Sequence, residues 1–149
     1  MRVSGFAVVD ASLVFKWLVR EEYTDKALGI LRMWHEEEIT PVAPHLLPFE
    51  VSNALHKRVT RGELSVEAAV DLIGNLLTSQ IELHQPWNLH GKALEMASRF
   101  GQGAVYDAHY LALAENLGCE LWTADEKFHR SVGQDLGHVH WIGEFDGSE

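Results

Sequence analysis

The stretch FAVVDASLVFKW, Phe6 to Trp17, places an acidic residue between an apolar run and a segment with helical spacing. The run from Phe6 to Val9 has the length and composition of a buried strand. Asp10 follows it directly, and ligands of α/β folds bind at the carboxyl ends of the strands. Aspartate is also a common helix N-cap, and taken alone this position favours the cap.

The composition indicates a soluble globular protein with one domain over residues 1–149. The chain has 46% hydrophobic residues, a mean hydropathy of -0.10 and a net charge of -10. No segment is long enough to span a bilayer, and we expect no signal peptide. Cys119 is the single cysteine, which excludes an internal disulfide and favours a reducing, cytoplasmic location. The negative charge disfavours non-specific nucleic-acid binding by the whole surface, but it permits a local basic groove or a metal site.

Strand-like and helix-like segments alternate along the chain. The predicted strands lie at 6–9, 41–44, 80–84, 120–123 and 138–142. The predicted helices lie at 11–18, 22–38, 46–61, 65–79, 86–100, 104–117 and 124–132. Such alternation is typical of a parallel sheet with helices on both faces. We therefore predict an α/β fold, a three-layer α/β/α sandwich with a central parallel sheet of four to five strands.

Two further acidic residues lie on predicted helices. Glu50 has Asn53 three residues on, on the same helix face, although its side chain could simply face water. Asp107 lies in the most apolar helix, where an unpaired carboxylate would cost several kcal/mol. We therefore expect Asp107 to have a partner: an arginine, backbone donors or a cation.

A fourth acidic residue repeats the position of the first. Asp125 follows the predicted strand 120–123, as Asp10 follows strand 6–9. Thr123 and Glu126 fit a capping box, which gives Asp125 an ordinary structural explanation. If the four acids meet at one edge of the sheet, they cannot all stay ionised without a strong cation. Carboxylate oxygens favour Mg²⁺ or Mn²⁺, and such ions can activate water for phosphodiester cleavage.

Four segments of the chain together resemble the PIN-domain family, and more narrowly its VapC-type ribonuclease toxins from prokaryotic toxin–antitoxin pairs. They are Val8 to Ser12, Pro48 to Leu55, Tyr106 to Ala114 and Thr123 to Phe128. They occur in the family's order and spacing over nearly the whole chain.

The resemblance implies a Mg²⁺- or Mn²⁺-dependent endoribonuclease. It assigns the metal and the catalysis to Asp10, Glu50, Asp107 and Asp125. It further implies Ser12 and Thr123 as polar supports near the metal, Asn53 as a residue behind the ligands, a homodimer, and a small antitoxin that blocks the site. One departure is that residues 101–104 lack the Ser or Thr often found just ahead of the third acid.

A basic cluster occurs at the end of the helix that carries Glu50. Lys57, Arg58 and Arg61, with Lys16 from the first helix, could contact RNA phosphates beside the acids. The simpler interpretation is that the cluster complements the dipole at the helix C-terminus, and the pattern favours it slightly.

Two other functions remain open. A PIN-like domain that has lost its chemistry would act as a protein-binding module, although the presence of all four acids argues against it. A phosphoryl-transfer protein would form an aspartyl-phosphate at Asp10, but no supporting acid lies next to Asp10.

Overall fold

The computed structural model of the protein describes residues 5–101 and 105–147. Within them the strands are β1 (Phe6–Val9), β2 (Thr40–Ala43), β3 (Glu82–Leu83), β4 (Glu120–Thr123) and β5 (Val139–Trp141). The helices are α1 (Ala11–Leu18), α2 (Thr24–Glu36), α3 (Leu46–Thr60), α4 (Val66–Leu77), α5 (Leu89–Arg99), α6 (Tyr106–Leu117) and α7 (Glu126–Val132). A 3₁₀ turn, Ile142–Glu144, follows β5. The predicted three-layer α/β/α sandwich is confirmed.

The sheet places the first strand at its centre. Its five described strands run parallel in the order β3-β2-β1-β4-β5. Val9 is in register with Trp122, and the backbone N–H of Asp10 donates to the Trp122 carbonyl oxygen at 3.4 Å. The residues that follow β1 and β4 therefore meet at one edge of the sheet, as the sequence predicted for Asp10 and Asp125.

The helix that carries Asp107 is buried along most of its length. Residues 108–114 of α6 are all buried, which agrees with an apolar helix that has no polar face. It packs against α5 and contacts β1 and β4. Gly118 ends α6 with a φ of 62°, a left-handed conformation that glycine adopts without steric cost. Asp107 in the first turn is thus held by a firmly packed element.

Three predicted helix starts lie two or three residues before the observed ones. The helix expected from Glu22 begins at Thr24, because its N-cap, Tyr23, has a left-handed conformation with a φ of 68°. The helix expected from Pro86 begins at Leu89, because residues 86–89 first form a turn in which the Leu89 N–H donates to the Pro86 carbonyl oxygen. The helix expected from Ala124 begins at Glu126, because Asp125 is its N-cap. The start expected at Ala104 for the preceding helix lies outside the described residues.

Helices long and apolar enough to cross a membrane do not occur in the described ranges.

Candidate active site

Asp10 is both a helix cap and the buried centre of the site. Its Oδ1 accepts hydrogen bonds from the backbone N–H of Leu13 at 3.0 Å and from the Ser12 hydroxyl at 2.7 Å. Its Oδ2 accepts a short hydrogen bond from the Thr123 hydroxyl. The side chain is only 6% exposed. The two interpretations of Asp10 drawn from the sequence, cap and site residue, are therefore compatible.

Ser12 and Thr123 tie the two strand ends together through their hydroxyl groups. Ser12 Oγ accepts the backbone N–H of Ala124 at 2.9 Å, and Thr123 Oγ1 accepts that of Asp125 at 3.0 Å. Since each hydroxyl has one proton, both protons are directed at the Asp10 carboxylate. The two residues thus orient Asp10 and join β1 to β4.

The capping box expected at Thr123 is wrong. The helix N-cap is Asp125, whose Oδ1 accepts the backbone N–H of Phe128 at 3.1 Å. Thr123 lies two positions too early for that role, because β4 continues through it. Its side chain is fully buried and bonded to Asp10 instead. Asp125 therefore repeats the arrangement of Asp10, as an acid that follows a strand and caps the next helix.

Glu50 is held by a residue that the sequence analysis did not single out. The Tyr110 hydroxyl, on a side chain that is 1% exposed, donates to Glu50 Oε1 at 2.7 Å. Tyr110 lies three residues after Asp107, on the same face of α6. This three-residue spacing is the sequence feature that could have linked Tyr110 to the site. The apolar residues around Tyr110 instead favour a place in the core. Glu50 is half-buried and does not simply face water.

The four acids line one cleft of about 270 Å³. Its lining residues include Asp10, Glu50, Asp107 and Asp125, together with Ser12, Asn53, Lys57 and Tyr110. The structure thus brings together the acids that the sequence singled out at four distant positions. Thr123 is not among the lining residues, but its hydroxyl donates a hydrogen bond to Asp10, which is. Residues 102–104, which include the positions without Ser or Thr ahead of Asp107, lie outside the described residues.

The environment of the cleft raises the pKa of three of its four carboxyl groups. Burial, which outweighs three hydrogen bonds, raises the pKa of Asp10 from 3.8 to about 6. Burial also raises the pKa of Glu50, and the charge of Asp107 adds to that increase. The pKa of Asp107 is raised by burial and then by the charge of Asp125. The side chains that line the cleft carry four carboxylates against one ammonium group, that of Lys57.

Within residues 5–101 and 105–147, the four acids are not compensated by direct pairing with a cation. Among the described residues, no lysine or arginine forms an ion pair with any of the four. In the same part of the chain, no three Asp, Glu, His or Cys side chains are already arranged to ligate one ion. A metal would therefore require the carboxylates to turn toward it. The donor set fits a hard cation, because the acids offer only oxygen.

The four basic residues considered for RNA binding occupy different environments. Lys57 lines the cleft. Lys16 is buried and pairs with Glu21 at 2.9 Å, while Arg58 binds the other oxygen of Glu21 and lies 5.1 Å from the centre of the Phe15 ring. Arg61 is the exposed C-cap of α3. Lys57 is thus the best placed of the four to face a ligand in the cleft.

Comparison with known proteins gives consistent results. The PIN domain family matches residues 8–135. Ribonuclease VapC3 of Pyrobaculum aerophilum is 31% identical over 122 residues, which cover 80% of this chain and 89% of that protein. Ribonuclease VapC1 of Mycobacterium tuberculosis is 32% identical over 130 residues, with 85% and 90% coverage.

The fold also matches a solved structure, the crystal structure of PAE2754 from Pyrobaculum aerophilum. The TM-score is 0.66 at 26% identity, and the match covers 90% of this chain and 82% of that one. The family match spans most of the chain, the curated relatives exceed 30% identity over nearly their full length, and the motifs lie where the sequence predicted them. The chain therefore belongs to the PIN domain family and resembles its VapC ribonucleases.

Proposed function

We propose that the protein is a Mg²⁺- or Mn²⁺-dependent endoribonuclease, the toxin of a toxin–antitoxin pair. The observation that carries the proposal is the cleft in which four acids with one neighbouring lysine converge, three of them with raised pKa values. Such a cleft gains stability from a divalent cation. The relatives named ribonucleases supply the class of substrate.

The residues of the cleft have distinct roles in this proposal. Asp10, Glu50, Asp107 and Asp125 would hold the metal, which supplies an activated water and stabilises the leaving oxygen when it is bound. Asp10 is the most firmly oriented of the four, because two hydroxyls and one backbone N–H hold its carboxylate.

Supporting residues act through these acids. Tyr110 holds Glu50 toward the cleft, and Ser12 and Thr123 hold Asp10. Asn53, an exposed residue of the lining one helical turn after Glu50, is placed to donate to a carboxylate or to RNA. Lys57 would contact a phosphate that enters the cleft, where its ammonium group offsets part of the repulsion between RNA and the acids.

Binding partners follow from the same charge distribution. The proposed partners are an RNA substrate, a second copy of the chain in a homodimer, and a small antitoxin. An antitoxin arginine that enters the cleft could pair with the carboxylates in place of the metal, because guanidinium binds carboxylate through two parallel hydrogen bonds. The net charge of -10 also favours a basic partner.

The test measures cleavage of single-stranded RNA by the purified chain with Mg²⁺ or Mn²⁺ and with EDTA. We expect cleavage only with the metal, and none by Asp10→Asn, whose folding is checked by circular dichroism. Asp71→Asn, which changes an exposed acid on α4, is the matched control and should cut like the wild type. Equal cleavage in EDTA, or by Asp10→Asn, would exclude the proposed chemistry. Absence of both cleavage and metal binding would favour the catalytically silent binding module.

A further inference from the structure

A second cavity, of about 480 Å³, lies beside the acid cleft. Helices α3 and α6 contribute to both cavities. On α3, Phe49 lines the second cavity and Glu50 lines the acid cleft. On α6, Tyr106 lines the second cavity and Asp107 lines the acid cleft. The two cavities are therefore lined by consecutive residues on each of the same two helices.

Two aromatic rings at this cavity are exposed to solvent. Phe49 is 74% exposed and Tyr106 is 57% exposed. Most large apolar side chains of the described residues are instead buried in the core. Aromatic rings with free faces beside a nuclease-like cleft are suited to stacking on flat ligands.

The floor of the cavity is a chain of hydrogen bonds with a fixed direction. At one end His109 Nδ1 must donate to the Val105 carbonyl oxygen at 2.9 Å. At the other end Gln85 Oε1 must accept the backbone N–H of His45 at 3.1 Å. The Gln85 amide nitrogen then donates to His90 Nε2 at 3.2 Å, and His90 Nδ1 donates to His109 Nε2 at 2.8 Å. Each ring nitrogen of the two imidazoles therefore has one hydrogen-bond partner within this part of the fold.

This arrangement decides which kind of ligand fits. The nitrogen lone pairs of His90 and His109 are both used within the chain, so neither imidazole is available to ligate a metal. The lining contains no lysine, arginine or carboxylate among the described residues, so a phosphate would find no opposite charge there. A flat, uncharged ring would instead meet two aromatic side chains and a floor of hydrogen-bonded polar side chains.

We infer that this cavity holds one unpaired nucleobase of the RNA, next to the phosphodiester that lies in the acid cleft. Phe49 and Tyr106 stack on the base, and Gln85, which uses one amide N–H and one Oε1 lone pair in the floor, has a second N–H and lone pair for the edge of the base. The inference rests on the proposed function, because RNA is the ligand that would place a base and a phosphate in two adjoining cavities.

The experiment uses the full chain with Asp10→Asn as the parent, so that RNA binds without being cut. The probe is a short single-stranded RNA with 2-aminopurine at one position, and a second RNA that is abasic at that position. Stacking quenches 2-aminopurine fluorescence. We expect quenching by the parent, and roughly tenfold weaker binding of intact RNA by Phe49→Ala or Tyr106→Ala, equivalent to about 1.4 kcal/mol. Tyr106→Phe should bind like the parent because it retains the ring.

The control variant is Leu77→Ala, which truncates an exposed apolar side chain on α4 and should leave RNA binding unchanged. Abasic RNA should bind the parent and Tyr106→Ala with the same low affinity. Without the base, the ring of Tyr106 has nothing to stack on, so its removal costs no further affinity. Equal affinity of the parent for intact and abasic RNA, while the wild type still cuts RNA with metal, overturns this inference and leaves the proposed function intact. Phe49→Ala and Tyr106→Ala could also lose self-association while their affinity for RNA stays unchanged. That result assigns the cavity to a protein interface and overturns this inference. A parent that binds no RNA overturns this inference, and the proposed function is also overturned if the wild type neither binds nor cuts RNA with Mg²⁺ or Mn²⁺.

Discussion

Replacing Asp10 with asparagine should stabilise the metal-free protein at neutral pH, although it removes a candidate metal ligand. The carboxyl group is 6% exposed, and its pKa is raised from 3.8 to about 6. One pKa unit corresponds to about 1.4 kcal/mol, so ionised Asp10 destabilises the native state by about 3 kcal/mol relative to the unfolded chain. Because the native state holds the proton more tightly, this group favours folding most below pH 3.8, and that contribution is lost as the pH rises through about 6.

The asparagine can satisfy the same neighbours. Its oxygen accepts the Leu13 N–H and the Ser12 hydroxyl, as Oδ1 of Asp10 does. Its amide nitrogen then faces Thr123 Oγ1, whose own proton is released to turn toward Ser12 Oγ, 3.2 Å away. The substitution therefore removes the charge and leaves Leu13, Ser12 and Thr123 each with a hydrogen-bond partner.

Urea unfolding in EDTA at several pH values measures the effect. We expect wild type and Asp10→Asn to be equally stable at about pH 4, and the variant to be more stable by about 3 kcal/mol at about pH 8. Asp71→Asn, on the exposed face of α4, should follow the wild type throughout. The reasoning is refuted if Asp10→Asn unfolds cooperatively but is less stable than the wild type at the higher pH.

Three further predictions concern the Tyr110 hydroxyl, the Glu21 ion pairs and metal binding. Tyr110→Phe should shift the acid limb of the pH–activity profile to higher pH, because the lost hydroxyl no longer favours ionised Glu50. Tyr23→Phe is the control. An unchanged profile in Tyr110→Phe would contradict the role of Tyr110 in holding Glu50. Glu21→Gln should lower the free energy of unfolding by about 2 kcal/mol in urea titrations, since it weakens a largely buried network of two cations on one carboxylate; no change would show that the network adds nothing to stability. Mg²⁺ at about a hundred times its dissociation constant should stabilise the wild type by about 3 kcal/mol, whereas an equal increase in Asp10→Asn would place the ion elsewhere.

The sheet edge could be predicted from sequence because short-range patterns define it. An apolar run followed by an acid identifies β1 and Asp10, and the same pattern identifies β4 and Asp125. In a parallel sheet those ends share one edge. The apolar character of α6 likewise predicted its burial and therefore the significance of Asp107.

The orientation of Glu50 could not be predicted in the same way. Its helix has apolar residues on several sides, so the sequence does not show which face meets the sheet. The choice depends on the packing of α3 against α1 and on a hydrogen bond to Tyr110, 60 positions later in the chain. The three-residue spacing of Asp107 and Tyr110 places both on one face of α6, but it does not identify Glu50 as the partner of Tyr110.

The basic residues illustrate the same limit. Lys16 and Arg58 are far apart in sequence, and neither position indicates that Glu21 binds both. Lys57, immediately before Arg58, lines the cleft instead. Adjacent residues on a helix point about 100° apart, so a cluster of charges in sequence divides between faces once the helix packs.

The central place of β1 has a consequence for protein synthesis. Asp10 accepts a hydrogen bond from the hydroxyl of Thr123, 113 residues later in the chain, and Asp125 follows Thr123 by two residues. A ribosome that releases the chain prematurely yields a product without this half of the cleft. The cleft is therefore complete only after the ribosome has synthesised Asp125.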